Sequence, residues 1–320
     1  MSLNTDGRKW IYGPVPSRRF GLSLGVDLVP YKVCSYDCVY CQVGKTTDRE
    51  VDLRDWVEPR VVADAVVDAV SGDVRPDVVT MAGSGEPTLY RSLGLLIHDI
   101  KDRTAGIPVV VLTNGSLFWM DEVVEAVEEA DVLAPSLDAG DEKTFRGLNR
   151  PHPSITFDRM LDGLEKVTHA FAGTVRLEVM LVAGANDSNE SLHRIAHCME
   201  RLRVDVVDVN TVVRPVPGAR PMACSLAVLE KAAAIFGPKA HIVPEEADLH
   251  GRESELKSLT DAADRILALV SRRPATPAQI RVALGLQPVI QSKALAKLLH
   301  DGRVVERILD GDAFIAVNRK

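Results

Sequence analysis

Three of the five cysteines fall within eight residues, in Cys34-Ser-Tyr-Asp-Cys38-Val-Tyr-Cys41. Thiolates spaced four and three apart on one loop can converge on a metal centre. A structural zinc ion takes four protein ligands, yet the next Cys or His after Cys41 is His98. Three thiolates instead fit a [4Fe–4S] cluster that leaves one iron without a protein ligand. An open iron can take the amino and carboxylate groups of a bound amino acid. The bland readings are a zinc knuckle or three unrelated thiols.

A loop of this kind needs a scaffold, and the surrounding pattern supplies one. Apolar, β-branched runs predict strands at Leu22–Leu28, Val78–Met81, Val109–Leu112, Val132–Pro135, Val175–Val182 and Val206–Val213. Helical stripes lie between them: Val62, Val66, Ala69 and Val70; Phe157, Met160, Leu161 and Leu164; and Leu192, Ile195, Met199 and Leu202, the last opening near Ser188 as cap. Strand–helix alternation with nearly continuous apolar strands implies an α/β fold with a parallel sheet, curled into a full or partial (β/α) barrel of about six units. In that architecture the chemistry sits at the carboxyl ends of the strands. The cysteine loop follows the first strand. Gly83-Ser84-Gly85-Glu86 follows the second, Asn114 the third and Ser136-Leu137-Asp138 the fourth, while Glu178 interrupts the apolar fifth. Taken singly, Glu86 reads equally as a capping acid in a strand-to-helix turn, and the others as turn residues or satisfied buried polar groups.

The alternation stops near Val243, which sets domains at 1–244 and 259–320 with a charged linker at 245–258. The C-terminal part predicts a helix over Ala262–Val270, a second over Ala278–Leu284 opened by Thr276-Pro277, a third over Pro288–Leu299, and a hairpin about Asp310-Gly311. Three helices and a hairpin make a winged helix.

CxxxCxxC with an aromatic residue before the last Cys resembles the signature of the radical S-adenosylmethionine superfamily. That resemblance implies that Cys34, Cys38 and Cys41 hold the [4Fe–4S] cluster and that S-adenosylmethionine binds its open iron. Gly83, Gly85 and Glu86 then stand where that superfamily receives the methionine ammonium. Ser136 and Asp138 would meet the ribose, Tyr40 the adenine face, Asn114 the ligand from the third strand, and Glu178 the nucleoside from inside the barrel. A reduced cluster would cleave the sulfonium to a 5′-deoxyadenosyl radical that takes hydrogen from a substrate, with electrons from a flavodoxin- or ferredoxin-like donor. The stretches Tyr12–Ser17, Ser84–Leu89, Ser136–Asp138, Asn149-Arg-Pro151 and Asn210–Pro215 further resemble the tRNA wyosine synthase group and its bacterial relatives. Residues 1–33 lack the extra cysteines of the wyosine enzymes.

Charge narrows the partners. The net charge is −7, and residues 259–320 carry 10 Lys and Arg against 6 Asp and Glu, leaving 28 against 39 for the rest. An acidic body disfavours tRNA, although a tRNA-modifying enzyme is one alternative. A redox-sensing DNA-binding regulator is another; its third helix would turn Gln291, Ser292, Lys293 and Lys297 outward. The winged helix is expected instead to recognise the substrate, peptide or small molecule, or a partner. Ser17-Arg18-Arg19 offers two cations for a carboxylate or phosphate, or a solvated charge pair. Cys198 reads as a packed small hydrophobe. Cys224 is a candidate hydrogen donor or second metal ligand. No apolar run reaches the ~18–20 residues that span a bilayer, and Met1–Trp10 is polar, so a cytoplasmic, membrane-free protein is expected.

Overall fold

The computed structural model describes residues 7–318 except 31, 73–74, 213–221, 245–258, 287–290, 292–293, 296–297, 300 and 310–311. Strand β1 (Ile11–Ser17) turns at Arg18-Arg19-Phe20 into β2 (Gly21–Val26), antiparallel to it. From β2 onward strands and helices alternate: α1 (Pro59–Val70), β5 (Val78–Met81), α2 (Leu93–Arg103), β6 (Val109–Thr113), α3 (Asp121–Val127), β7 (Val132–Pro135), α4 (Glu142–Leu148), α5 (Phe157–Ala170), β8 (Thr174–Leu181), α6 (Asn189–Met199), β9 (Val206–Thr211), α7 (Leu226–Phe236) and β10 (Ala240–Ile242). The cysteine loop leaves β2 and is bracketed by a two-residue parallel pair, β3 (Val33–Cys34) and β4 (Asp48–Arg49).

The main sheet runs β1-β2-β5-β6-β7-β8-β9-β10, and every pair after the first is parallel. Each crossover adds its strand next to the last, which winds the sheet around one axis. β1 and β10 form its two edges, so it is a partial barrel. All four residues of β5 are buried, as a strand covered on both faces requires. The helices supply that cover. Phe157, Met160, Leu161 and Leu164 of α5 are buried, and Thr156 caps its first turn by accepting from the Arg159 amide. Ser188 caps α6 in the same way, through Ser191.

The C-terminal part has a separate core, built from Ile266, Leu269, Val270, Ile280, Leu284, Leu298, Val304 and Ile315. It comprises α8 (Leu259–Arg272), α9 (Pro277–Leu284), helical residues at Gln291, Ala294, Leu295, Leu298 and Leu299, and the hairpin β11 (Val304–Leu309) with β12 (Asp312–Val317). Thr276 and Gln279 close a capping box, and Gly285 ends α9 in the left-handed region at φ +58°. This unit packs on edge strand β1. Val15 joins its core, Arg265 donates to the Pro14 carbonyl at 3.2 Å and Arg272 to the Ile11 carbonyl at 3.3 Å.

Two expectations are corrected here. Gln291 does not face outward: it is 5% exposed and donates to the Pro277 carbonyl, tying the third helix to the start of α9. A side chain spent on that tie cannot read a groove. β1 was not among the expected strands, and it contains Pro14 and Pro16. Edge placement accommodates both, since a strand bonded on one side needs only half its amides. Ser292, Lys293, Lys297 and the 245–258 linker lie outside the described residues. Among the described residues no helix is long and apolar enough to cross a membrane.

Candidate active site

The cysteine loop is braced from two sides. Asp37 and Val39 donate backbone bonds to the Asn149 and Leu148 carbonyls at 3.1 and 2.9 Å, and the His152 amide donates to the Ser35 carbonyl at 2.8 Å. Asn149-Arg150-Pro151 is therefore a strut beneath the loop. Each of the three sulfurs then has its own nitrogen donor. Asn114 Nδ2 lies 3.6 Å from Cys34 Sγ, Asn149 Nδ2 3.6 Å from Cys38 Sγ, and Lys32 Nζ 3.5 Å from Cys41 Sγ. These donors come from the residue after β6, from the C-terminal cap of α4 and from the loop itself.

Three thiolates with an N–H donor near each are a donor set that fits an iron–sulfur cluster. Among the described residues no three His, Cys, Asp or Glu side chains gather closely enough to hold one metal ion. In a cubane each thiolate takes a different iron, so the sulfurs must stand apart. N–H donors around the sulfurs are the usual surroundings of such a centre. The buried Tyr36 hydroxyl has no hydrogen-bond partner among the described residues, and Cys38 is the charge that bears on it most. A cluster sulfide would give it an acceptor. Burial, with Glu86 next, pushes the Cys34 thiol up to about 12, so metal entry must displace a proton there.

The Gly83–Glu86 loop sits against this one. The Glu86 amide donates to the Val33 carbonyl at 3.2 Å, and the Lys32 amide to the Ser84 carbonyl at 3.0 Å. A Cβ on Gly85 would stand 1.8 Å from the Val33 carbonyl oxygen, and one on Gly83 2.1 Å from the Asp27 carboxyl. Both glycines are thus required by contact with the protein's own chain. Ser84 has a reason too: its amide and hydroxyl both donate to Asp27, at 2.9 and 2.7 Å. Glu86 is 2% exposed and caps the short turn Pro87–Leu89. Its Oε1 accepts from Thr88 N, Thr88 Oγ1 and Thr113 Oγ1, and its Oε2 from Asn114 N. Oε1 is thus crowded with three donors, while Oε2 takes a single one.

Asp138 is equally committed. Its Oδ1 accepts from Met180 N at 2.8 Å, and its Oδ2 from the Tyr40 hydroxyl and from Asn149 Nδ2. Burial raises its carboxyl to about 6 against those bonds. Tyr40 is therefore anchored by its hydroxyl to the end of β7, which leaves only its ring for a ligand. Ser136 is only half-buried, and its amide donates to the Thr113 carbonyl at 3.1 Å. Cys198 and Cys224 are both buried; the first packs near the Gly140 carbonyl and the amide of the second donates to Thr211 Oγ1. Sequence reasoning missed Asp27 and Lys32, since an acid inside an apolar strand end and a lysine before a turn carry no motif.

A cavity of about 310 Å³ occupies the barrel interior beside these loops. Ser23, Thr80, Leu112, Glu178, Met180 and Asn210 line it from successive strands, and Gly83 and Gln42 adjoin it. Its mouth carries Arg18 and Arg19 from the β1–β2 turn, and Arg272 and Arg273 from α8 and the residue after it. Glu178 binds Arg19 at 2.5 Å and accepts from Asn210 Nδ2 at 3.1 Å. Arg272 lies over the Tyr12 ring at 4.1 Å, and its Nε stands 3.1 Å from Asp27 Oδ2 in an ion pair. Asp27 thus links the Gly83–Glu86 loop to the C-terminal unit.

The parallel strands, with this loop after the first of them, form a partial (β/α) barrel with its candidate site at the carboxyl ends. The sequence matches the Radical SAM superfamily over residues 28–197, and the chain belongs to that superfamily as a radical SAM enzyme. It is 30% identical over 313 residues to the UPF0026 protein of Methanocaldococcus jannaschii, covering 97% of this chain and 96% of that protein. It is also 35% identical over 313 residues to a protein of Brachyspira hyodysenteriae named GTPase Obg; there 97% of this chain spans 45% of that protein's length. In fold it is similar to TYW1 solved with a lysine–pyruvate adduct, at TM-score 0.53 and 21% identity, over 72% of this chain and 76% of the other.

Proposed function

We propose that Cys34, Cys38 and Cys41 hold a [4Fe–4S] cluster, and that S-adenosylmethionine binds across the carboxyl ends of β5 to β8 for reaction on a substrate in the adjoining cavity. Bound there, the cluster supplies one-electron reductive cleavage of the sulfonium to a 5′-deoxyadenosyl radical. The observation that carries this reading is the set of three nitrogen donors, one to each sulfur, inside a loop braced at both ends. Asn114 ties two of the subsites together, since its side chain faces Cys34 while its amide holds Glu86. Glu86 Oε2, which takes a single donor, is the acceptor for the methionine ammonium, and the backbone of Gly83–Glu86 offers the rest. The Ser136 hydroxyl at the end of β7 meets a ribose oxygen, with Asp138 and Tyr40 fixing the wall behind it. Glu178 faces the cavity and, paired with Arg19, brings no net charge to it. Water exclusion falls to the C-terminal unit, which closes the β1 side of the barrel.

Anaerobic reconstitution followed by dithionite reduction tests this. The expected result is about four irons per chain, as the cluster type requires, and slow 5′-deoxyadenosine formation from S-adenosylmethionine. A fully loaded, reduced protein that forms none, with or without cell extract, would sink the proposal.

A further inference from the structure

We infer that Arg272 of the C-terminal unit is a positioning residue for the methionine end of S-adenosylmethionine, acting through Asp27 on the Gly83–Glu86 loop. This role rests on the reading of that loop as the seat of the methionine ammonium. Asp27 directly follows β2 and is 7% exposed. Its Oδ1 accepts from the Ser84 amide at 2.9 Å and its Oδ2 from the Ser84 hydroxyl at 2.7 Å. The same Oδ2 lies 3.1 Å from Arg272 Nε. Burial pushes the Asp27 carboxyl up, and Arg272 is the charge that most opposes the rise. Without that guanidinium the carboxyl takes up a proton more readily and grips Ser84 less firmly.

A second contact brings Arg272 to bear on the same loop. Its guanidinium lies 4.1 Å from the centre of the Tyr12 ring, and Gly25 of β2 makes room for that ring, since a Cβ there would stand 2.1 Å from its Cζ. The Tyr12 hydroxyl donates to the carbonyl of Ala82, the residue before Gly83, at 3.3 Å. Ala82 and Ser84 are thus each held by a side chain that Arg272 touches. Two residues on, the Glu86 amide is fixed to the Val33 carbonyl. A shift at Ser84 therefore falls on the peptide groups between these anchors, which are the ones offered to the ammonium. Arg272 is itself seated, with its side chain 13% exposed and donating to the Ala268 and Ile11 carbonyls at 3.0 and 3.3 Å. The seat of the C-terminal unit and the binding of the methionine end are linked through these contacts, and linkage is reciprocal.

The test uses the full chain, loaded with iron anaerobically and kept oxidised so that S-adenosylmethionine is bound without being cleaved. Equilibrium dialysis measures its affinity, with iron content as the control. Arg272→Gln should bind it about tenfold more weakly at unchanged iron content, an effect the size of one charge-assisted contact. Arg272→Lys, which keeps a charge beside Asp27, should recover part of the loss. Adding Arg272→Gln to Asp27→Asn should cost little beyond Asp27→Asn alone, because the arginine acts through that carboxylate. In the native chain, S-adenosylmethionine should slow amide exchange over Leu259–Arg272 severalfold, a readout that needs no variant to fold. Equal affinity in the native chain and Arg272→Gln would overturn the inference and leave the cofactor reading standing. So would losses that multiply in the double variant, or exchange over α8 that the ligand leaves unchanged. A native, iron-loaded chain that binds no S-adenosylmethionine would overturn both.

Discussion

The two ends of the cavity are built on opposite plans. At the cysteine end, the reactive groups lie on one ten-residue stretch, Lys32–Cys41, and other elements only lend them hydrogen bonds. At the arginine end nothing is local: Arg18 and Arg19 come from the first hairpin, and Arg272 and Arg273 from the C-terminal unit. A cluster needs several ligands within a few ångströms, which a single loop provides most cheaply in chain entropy. A substrate contact needs only one or two groups, which any element can bring once the fold closes. If the cysteine loop holds the proposed cluster, damage to the first end should remove the metal, whereas damage to the second should leave it in place.

The sharpest way to break that contrast is to exchange the cysteines. Cys34→Ala should abolish iron loading, from about four per chain to background, since two thiolates do not retain this cluster. Cys198→Ala and Cys224→Ala should load fully, because both side chains are buried away from the loop. Iron assay after anaerobic reconstitution decides it, and a halved content in Cys224→Ala would require a second metal site.

Next in size is Gly85→Ala. The new methyl would press on the Val33 carbonyl, which is backbone and cannot swing aside. Destabilisation of about 3 kcal/mol is expected from urea unfolding, together with poorer iron loading, because β3 would have to move. Tolerance at this position would mean that the loop is looser than its contacts imply.

How much of this was legible depended on whether the cause was local. The strands Val78–Met81 and Val132–Pro135 have the bounds that their apolar runs predict, because a strand covered on both faces is apolar at most positions. The cysteine spacing was legible for the reason just given. Glu86 was found by position, yet its four bonds reach Thr88, Thr113 and Asn114, and the choice between ligand and cap needed the fold. Asp27 was invisible: it serves Ser84 and Arg272, 57 and 245 residues away. Gln291 misled because amphipathic spacing cannot tell a solvent face from a face turned toward Pro277.

The Asp27–Arg272 pair joins the two ends and gives the third prediction. Asp27 holds Ser84 with two hydrogen bonds while Arg272 stacks on Tyr12, so each has a second anchor. A double-mutant cycle of Asp27→Asn and Arg272→Gln should give a coupling of about 2 kcal/mol, as expected for a shielded pair in contact. Both single variants should retain iron. Loss of iron in Arg272→Gln would show that the C-terminal unit supports the cluster loop directly, and the two ends would no longer be separable.

The smallest expected effect tests whether the cysteine end is tuned as well as built. Lys32 is 2% exposed, with its Nζ bonded to the Gly44 carbonyl and 3.5 Å from Cys41 Sγ. Its backbone lies in the left-handed region, at φ +67°, which a non-glycine residue adopts at some cost. A lysine is not needed there for packing alone, since a methionine has the same reach without the charge. What the ammonium adds is a positive charge beside one thiolate. Reduction gives the cluster one more negative charge, and a nearby cation favours the reduced state. Lys32→Met should therefore lower the midpoint potential, on the order of 60 mV, which is a tenfold change for a one-electron couple. Lys32→Arg keeps the charge and should restore most of the potential if its larger head fits. Anaerobic titration followed by the reduced-cluster resonance measures both, with iron content as the control. An unchanged potential at full iron loading would mean that the Gly44 bond is the whole role of Lys32, a strut for the loop and not a setting of its electronics.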